Sequence, residues 1–171
     1  HHSDYGPNEK QSINFMADTN KEAYVLSTTE NQIATIEFFH PQSNSLPGKI
    51  LNQLAVAVQT AGNDNNVNVI ILKSAGEKAF CAGASFDELL QINSTEQGLE
   101  FFSGFAKVIN AIRNAPKFVI ARIQGKCVGG GVGLAAAADY SIALYTADIK
   151  LSELAVGIGP FVVGPAVERK M

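Results

Sequence analysis

Two glycine-bearing segments constrain this chain more than anything else in it: Phe80-Cys81-Ala82-Gly83-Ala84 and Gly125-Lys126-Cys127-Val128-Gly129-Gly130-Gly131, with Gly83 and Gly130 lying 47 positions apart. Each follows a strand-like apolar run and leads into a helical pattern. Where a strand turns through glycines into a helix, backbone N–H groups lack intrahelical partners, and the helix dipole adds partial positive charge. Two such turns brought together would grip one oxygen. That arrangement suits chemistry in which a carbonyl oxygen becomes negative in the transition state.

The rest of the pattern is α/β. Tyr24 to Ser27 and Ile33 to Phe39 alternate in the strand manner, with Glu30-Asn31-Gln32 as the turn of a hairpin. A helix follows, with Pro47 suited to its first turn and Ile50, Leu51, Leu54, Ala55 and Val58 on one face. Val67 to Lys73 is apolar and β-branched, which predicts a strand buried on both faces. Phe86 to Ile92 reads as a helix, and a second begins at Ser94 or Thr95 and ends before Pro116. That helix is expected to bury Leu99, Phe102, Ala106, Ile109 and Ile112. Phe118 to Ile123 reads as a strand, Gly130 to Ala138 as a short helix and Tyr140 to Tyr145 as a strand.

Composition serves mainly to exclude. With 171 residues, 46% hydrophobic and 17% charged, the chain has the size and apolar content of one domain. A net charge of -3 and the lack of a basic run interleaved with aromatics argue against nucleic acid or an anionic membrane as partner. No apolar stretch reaches bilayer length, and the polar start lacks a signal-peptide core, so a cytoplasmic location is expected. Cys81 and Cys127 sit in glycine turns without nearby histidines, which makes them poor zinc ligands and better read as buried thiols. Residues 1–16 read as a tag and linker remnant ahead of or including Met16, and 17–171 as the folded core.

Lys78-Ala79-Phe80-Cys81-Ala82-Gly83-Ala84, then Gly129-Gly130-Gly131 with Leu134-Ala135 and Asp139, then Leu151-Ser152-Glu153-Leu154-Ala155-Val156-Gly157-Ile158, resemble the crotonase (enoyl-CoA hydratase/isomerase) superfamily. The likeness runs from about Ala23 to the last residue. It implies a spiral of ββα turns, of which this chain would be the amino-terminal core only, since members of the family continue with further helices. It also implies an acyl-CoA thioester as substrate, no cofactor beyond the coenzyme A of that substrate, and a homotrimer or hexamer.

By the same resemblance, the backbone N–H groups of Ala84 and Gly130 would bind the thioester oxygen. Ala82, Gly83, Phe86, Gly129, Gly131, Gly133 and Pro160 would line the substrate site. Hydratases of the family use two glutamates, and Gly133 stands at the first of these positions while Glu153 stands at the second. Enoyl-CoA isomerases of the superfamily keep only the second glutamate, which takes a proton from C2 and returns it at C4. Hydration asks for a base to hold and deprotonate water as well as an acid for the α-carbon, so a missing carboxylate impairs hydration more than isomerisation. The expectation is therefore an enoyl-CoA isomerase, with enoyl-CoA hydratase or an inactive acyl-CoA-binding protein as alternatives.

Several residues have less specific readings. Asp87 and Glu88 are expected mainly to compensate a helix dipole, and Asp139 to be structural. Asp87 replaces a basic residue of relatives, so Lys49, Lys73 or Lys78 would have to meet the phosphates of coenzyme A. Gly131-Val132-Gly133-Leu134-Ala135-Ala136 also fits a dinucleotide fingerprint, a weak signal when it stands alone. His40 is the one histidine beyond the first two residues, which disfavours a histidine-dependent hydrolase.

Overall fold

Alternation in the sequence becomes a mixed sheet with helices on it. The computed structural model describes residues 22–143. Strands β1 (Tyr24–Glu30) and β2 (Ile33–Phe39) are antiparallel, with Glu30 opposite Ile33. The connection is two residues rather than the expected three: Asn31 and Gln32 both have positive φ, 50° and 65°. This is the mirror-image turn whose twist matches a tight hairpin.

The remaining elements are β3 (Ser45–Leu46), α1 (Gly48–Gly62), β4 (Val69–Ser74), β5 (Ala79–Cys81), β6 (Gly83–Ala84) and α2 (Phe86–Leu90). After these come α3 (Thr95–Asn114), β7 (Phe118–Ile123), β8 (Lys126–Cys127), α4 (Gly130–Ala137) and β9 (Tyr140–Ala143). The main sheet has the order β1-β2-β4-β7-β9, parallel from β2 onward. Two parallel ribbons, β3-β6 and β5-β8, stand apart from it. Each turn of chain thus gives one strand to the sheet, a short strand to a ribbon, and then a helix. That recurrence is the expected ββα spiral.

One face of the sheet carries the core. Ala34, Ile36 and Phe38 of β2, Ile70 and Leu72 of β4, and Val119, Ala121 and Ile123 of β7 are buried in one cluster with Leu54 and Val58 of α1 and Val108 and Ile112 of α3. Burying each of the larger side chains contributes about 1.5–3 kcal/mol relative to exposure. The α1 face carries Ile50, Leu51, Leu54, Ala55 and Val58, as the helical spacing requires. Asp139 is fully buried, accepts from Val119 N at 2.8 Å and donates its own N–H to Val119 O at 2.9 Å. It ties the end of α4 to the start of β7, the structural role expected of it.

Two expectations are corrected. Strand β4 is buried on one face only, its residues alternating between buried and half-buried, because the helices cover one side of the sheet. Helix α3 buries Val108, Ala111 and Ile112 but leaves Leu99 and Phe102 each 69% exposed and Ala106 exposed. A helix of 20 residues is about 30 Å long and outruns the sheet, so its first turns have no core to face among the described residues. Among the described residues no helix is long and apolar enough to cross a membrane, and no group of His, Cys, Asp or Glu could hold a metal ion.

Candidate active site

The two glycine turns meet. Strands β5 and β8 pair in parallel with Cys81 opposite Cys127, and Val128 N donates to Cys81 O at 3.0 Å. Gly83 has φ 98°, and Gly129, the residue before α4, has φ 54°, both in the region that favours glycine. A Cβ on Gly83 would lie 3.1 Å from Val128 O and 3.9 Å from Gly130 N, so the first turn lies directly against the start of α4. A Cβ on Gly131 would lie 2.4 Å from Cys81 O, which makes the second contact as close as the first.

Gly130 is the first residue of α4, and its N–H therefore has no intrahelical acceptor. The next two donors are committed to the turn: Gly131 N to Val128 O at 2.9 Å and Val132 N to Gly129 O at 3.0 Å. Ala84 is exposed at the end of β6, immediately before the Ser85 cap of α2. Ala82, Gly83, Ala84, Gly129, Gly130 and Gly131 are thus brought to one place. Phe86 opens α2 beside them and is 65% exposed.

Helix α3 supplies a wall to this region. A Cβ on Gly130 would meet the Phe105 ring at 2.6 Å, and one on Gly133 would meet Ile109 Cδ1 at 3.0 Å. Both of these neighbours are hydrocarbon side chains. Glu153 and Pro160 lie outside the described residues, as do residues 1–16 and the end of the last predicted strand.

Two framework residues, Asn44 and Gln124, escaped the sequence reading, and a third, Glu88, has a further partner. Asn44 is 3% exposed with φ 57°; its Oδ1 accepts from His40 N at 2.8 Å, and its Nδ2 donates to Ala75 O at 2.8 Å and Ala79 O at 2.9 Å. Its own carbonyl accepts from Ala82 N at 3.2 Å, one residue before Gly83. The run Pro41-Gln42-Ser43-Asn44 carried a turn signal that could have found it. Gln124 Nε2 donates to Ser74 Oγ at 2.9 Å and lies 3.2 Å from Ala79 O, bracing the same loop. Glu88 stands in the first turn of α2, as expected, and its carboxylate also accepts from Gly48 N at 3.0 and 3.1 Å and so caps α1. Asp87 accepts from Gln42 Nε2 at 3.3 Å.

Electrostatics narrow the choices further. Lys73 is paired with Glu37 across the sheet at 3.1 Å. Lys49 and Lys78 remain exposed. Burial pushes the Cys81 and Cys127 thiols up to about 12, so both are buried, protonated thiols as expected. Burial lowers the His40 pKa against the opposing charge of Asp87, and its Nδ1 accepts from Gln42 N at 3.1 Å.

The family model described as enoyl-CoA hydratase/isomerase matches residues 28–171. Mitochondrial methylglutaconyl-CoA hydratase of Rattus norvegicus is 39% identical over 117 residues, covering 68% of this chain and 37% of that protein. Short-chain-enoyl-CoA hydratase of Clostridium acetobutylicum is 32% identical over 137 residues, covering 80% of this chain and 52% of that protein. The crystal structure of an enoyl-CoA hydratase from Bacillus anthracis superposes with a TM-score of 0.67 at 30% identity, covering 87% of this chain and 58% of that one. This chain therefore spans only part of the length of these relatives. Sequence match, spiral topology and paired turns agree, and the chain belongs to the enoyl-CoA hydratase/isomerase family of the crotonase superfamily.

Proposed function

We propose that this chain is the core of an acyl-CoA-dependent enzyme that stabilises a thioester enolate and moves a proton with a single glutamate, Glu153, converting 3-enoyl-CoA to 2-enoyl-CoA. The observation that carries the reading is the pairing at α4: a glycine turn on one side and Gly133, packed on Ile109, where a first glutamate would stand. In this reading the N–H groups of Ala84 and Gly130 donate to the thioester oxygen. Each such donor is worth about 3 kcal/mol of barrier when aimed at the developing charge. That lowers the cost of removing a proton from C2, and Glu153 then returns the proton at C4. Ala82, Gly83, Phe86, Gly129, Gly131, Gly133 and Pro160 complete the substrate site. No cofactor is required besides the coenzyme A carried by the substrate, and a cytoplasmic homo-oligomer is the assembly proposed.

Hydration is the second reading, favoured by the hydratase names of the relatives. It requires a second base to take the place of the carboxylate missing at Gly133. The two readings part on one assay. Initial rates of the full-length protein on 3-enoyl-CoA and on 2-enoyl-CoA are compared, with Glu153→Gln alongside. Isomerisation that fails in Glu153→Gln, with hydration slower by about tenfold or more, is the expected outcome. Hydration at least as fast as isomerisation would replace the isomerase reading with the hydratase. Tight acyl-CoA binding without turnover, unchanged by Glu153→Gln, would leave a binding protein.

A further inference from the structure

Resting on the oxyanion reading above, we infer that Glu88 is a positioning residue for the first oxyanion donor: its carboxylate clasps α1 and so fixes the joint at which Ala84 stands. Helix α2 follows Ala84 after the single residue Ser85, its N-cap. None of its five residues is buried among the described residues, and Phe86 and Leu90 are 65% and 69% exposed. The apolar packing that orients α1 therefore gives α2 little to hold. Its side-chain links are polar. The Glu88 carboxylate accepts from Gly48 N at 3.0 and 3.1 Å, and Asp87 Oδ2 accepts from Gln42 Nε2 at 3.3 Å between exposed groups.

The first of these links answers a need of α1. That helix starts after Pro47, which offers no side-chain cap, and its first turn holds no acidic residue. Its leading N–H groups lack intrahelical acceptors and carry the positive end of the dipole. Glu88, half-buried, brings both an acceptor and a negative charge to them from 40 positions away. The place of the link matters more than its strength. Residues 44–48 and 82–88 run alongside: Ala82 N donates to Asn44 O at 3.2 Å, Ser45 lies opposite Gly83, Leu46 lies opposite Ala84, and Glu88 closes the row on Gly48. Ala84 is thus the joint between a two-residue ribbon and a helix without a core, gripped on one side by the ribbon and on the other by the clasp. Ser85, buried between them, spends its hydroxyl inside α2 by accepting from Glu88 N at 3.4 Å. A tilt of α2 is transmitted to Ala84, and a displacement of about 1 Å at a catalytic donor costs on the order of a hundredfold in rate.

The test reads the thioester oxygen itself and needs no turnover. Full-length protein is saturated with acetyl-CoA carrying a carbon-13 label at the thioester carbonyl. The isotope-edited infrared band is compared with that of the free ester, since each donated hydrogen bond lowers the carbonyl frequency. With two donors on the oxygen, losing one leaves about half of the shift. Glu88→Ala is therefore expected to show about half of the wild-type shift or less, and Glu88→Gln, whose amide oxygen still accepts from Gly48 N, about the wild-type shift. The frequency is read from bound ester only, so a smaller folded fraction lowers the intensity of the band and leaves its position alone. A wild-type shift in Glu88→Ala, or a shift in Glu88→Gln no larger than in Glu88→Ala, overturns the inference. If Glu88→Ala does not fold, Glu88→Asp, one methylene short of Gly48 N, takes its place with the same two outcomes. Wild-type protein that binds no acetyl-CoA, or binds it with the band unmoved, would bring down the oxyanion reading, and this inference with it.

Discussion

Asn44→Ala is expected to cost about 3–4 kcal/mol of folding stability, a large share of the roughly 5–15 kcal/mol that holds a typical domain together. The side chain makes three hydrogen bonds of 2.8 to 2.9 Å, to His40 N, Ala75 O and Ala79 O. At about 1 kcal/mol net for each, their loss accounts for about 3 kcal/mol. Ala79 O keeps Gln124 Nε2 at 3.2 Å, which moderates the penalty at that end. The backbone adds to it, because Asn44 has φ 57° and alanine in the left-handed region costs of order 1 kcal/mol. Asn44→Asp separates shape from chemistry. It keeps the acceptor for His40 N but turns a negative oxygen towards two carbonyl oxygens. Those carbonyls raise the pKa of the introduced carboxyl, so the variant's deficit is largest at neutral pH and shrinks as pH falls and the carboxyl becomes a donor. Equilibrium urea unfolding of the full-length protein, at fixed protein concentration and at two pH values, measures both effects. A loss below about 1 kcal/mol in Asn44→Ala, or an Asn44→Asp variant more stable than Asn44→Ala at neutral pH, would refute the bracket.

Three further outcomes are expected. Gly131→Ala places a Cβ 2.4 Å from Cys81 O and 2.8 Å from Cys81 Cβ, so it should destabilise by about 1–3 kcal/mol in the same unfolding assay while forcing the glycine turns apart. Cys81 and Cys127, with thiols pushed up to about 12, should resist a thiol-specific disulfide reagent at pH 8 in the folded protein and react together on unfolding. Tyr24 donates to Glu37 Oε2 at 2.7 Å, and burial followed by that bond raises its pKa from 10.0 to about 12. The protonated phenol is the form favoured on folding, so its contribution is present below pH 10 and is lost as pH rises towards 12. Tyr24→Phe should therefore flatten the alkaline limb of the stability profile between these values, and an unchanged limb would show that the pair contributes nothing there.

What local pattern encodes is legible in the sequence. The hairpin, α1, the limits of β7 and the start of α4 follow from alternation, helical spacing and glycine turns, each written within a dozen neighbouring residues. The motif residues of the site were readable for the same reason. What escaped was set by distance in the chain. Lys73 is held by Glu37, 36 positions away, and Glu88 caps α1 through Gly48, 40 positions away. Ribbons of two residues carry no period to detect, so β3 and β6 went unseen. Helix α3 shows the opposite error: the apolar stripe of Leu99, Phe102 and Ala106 is real, but periodicity says which residues share a face and not what lies opposite them.

The central claim is that one glutamate moves a proton between C2 and C4 of an enoyl thioester whose oxygen is held by the two glycine turns. Proton NMR of 3-enoyl-CoA incubated in D2O, with the full-length enzyme and with Glu153→Ala, tests it most directly. The account predicts 2-enoyl-CoA that forms with the enzyme and not with the variant, and little further conversion to 3-hydroxyacyl-CoA. Formation of 2-enoyl-CoA by Glu153→Ala at the wild-type rate, or no change in any signal despite measured binding of the ester, would contradict it.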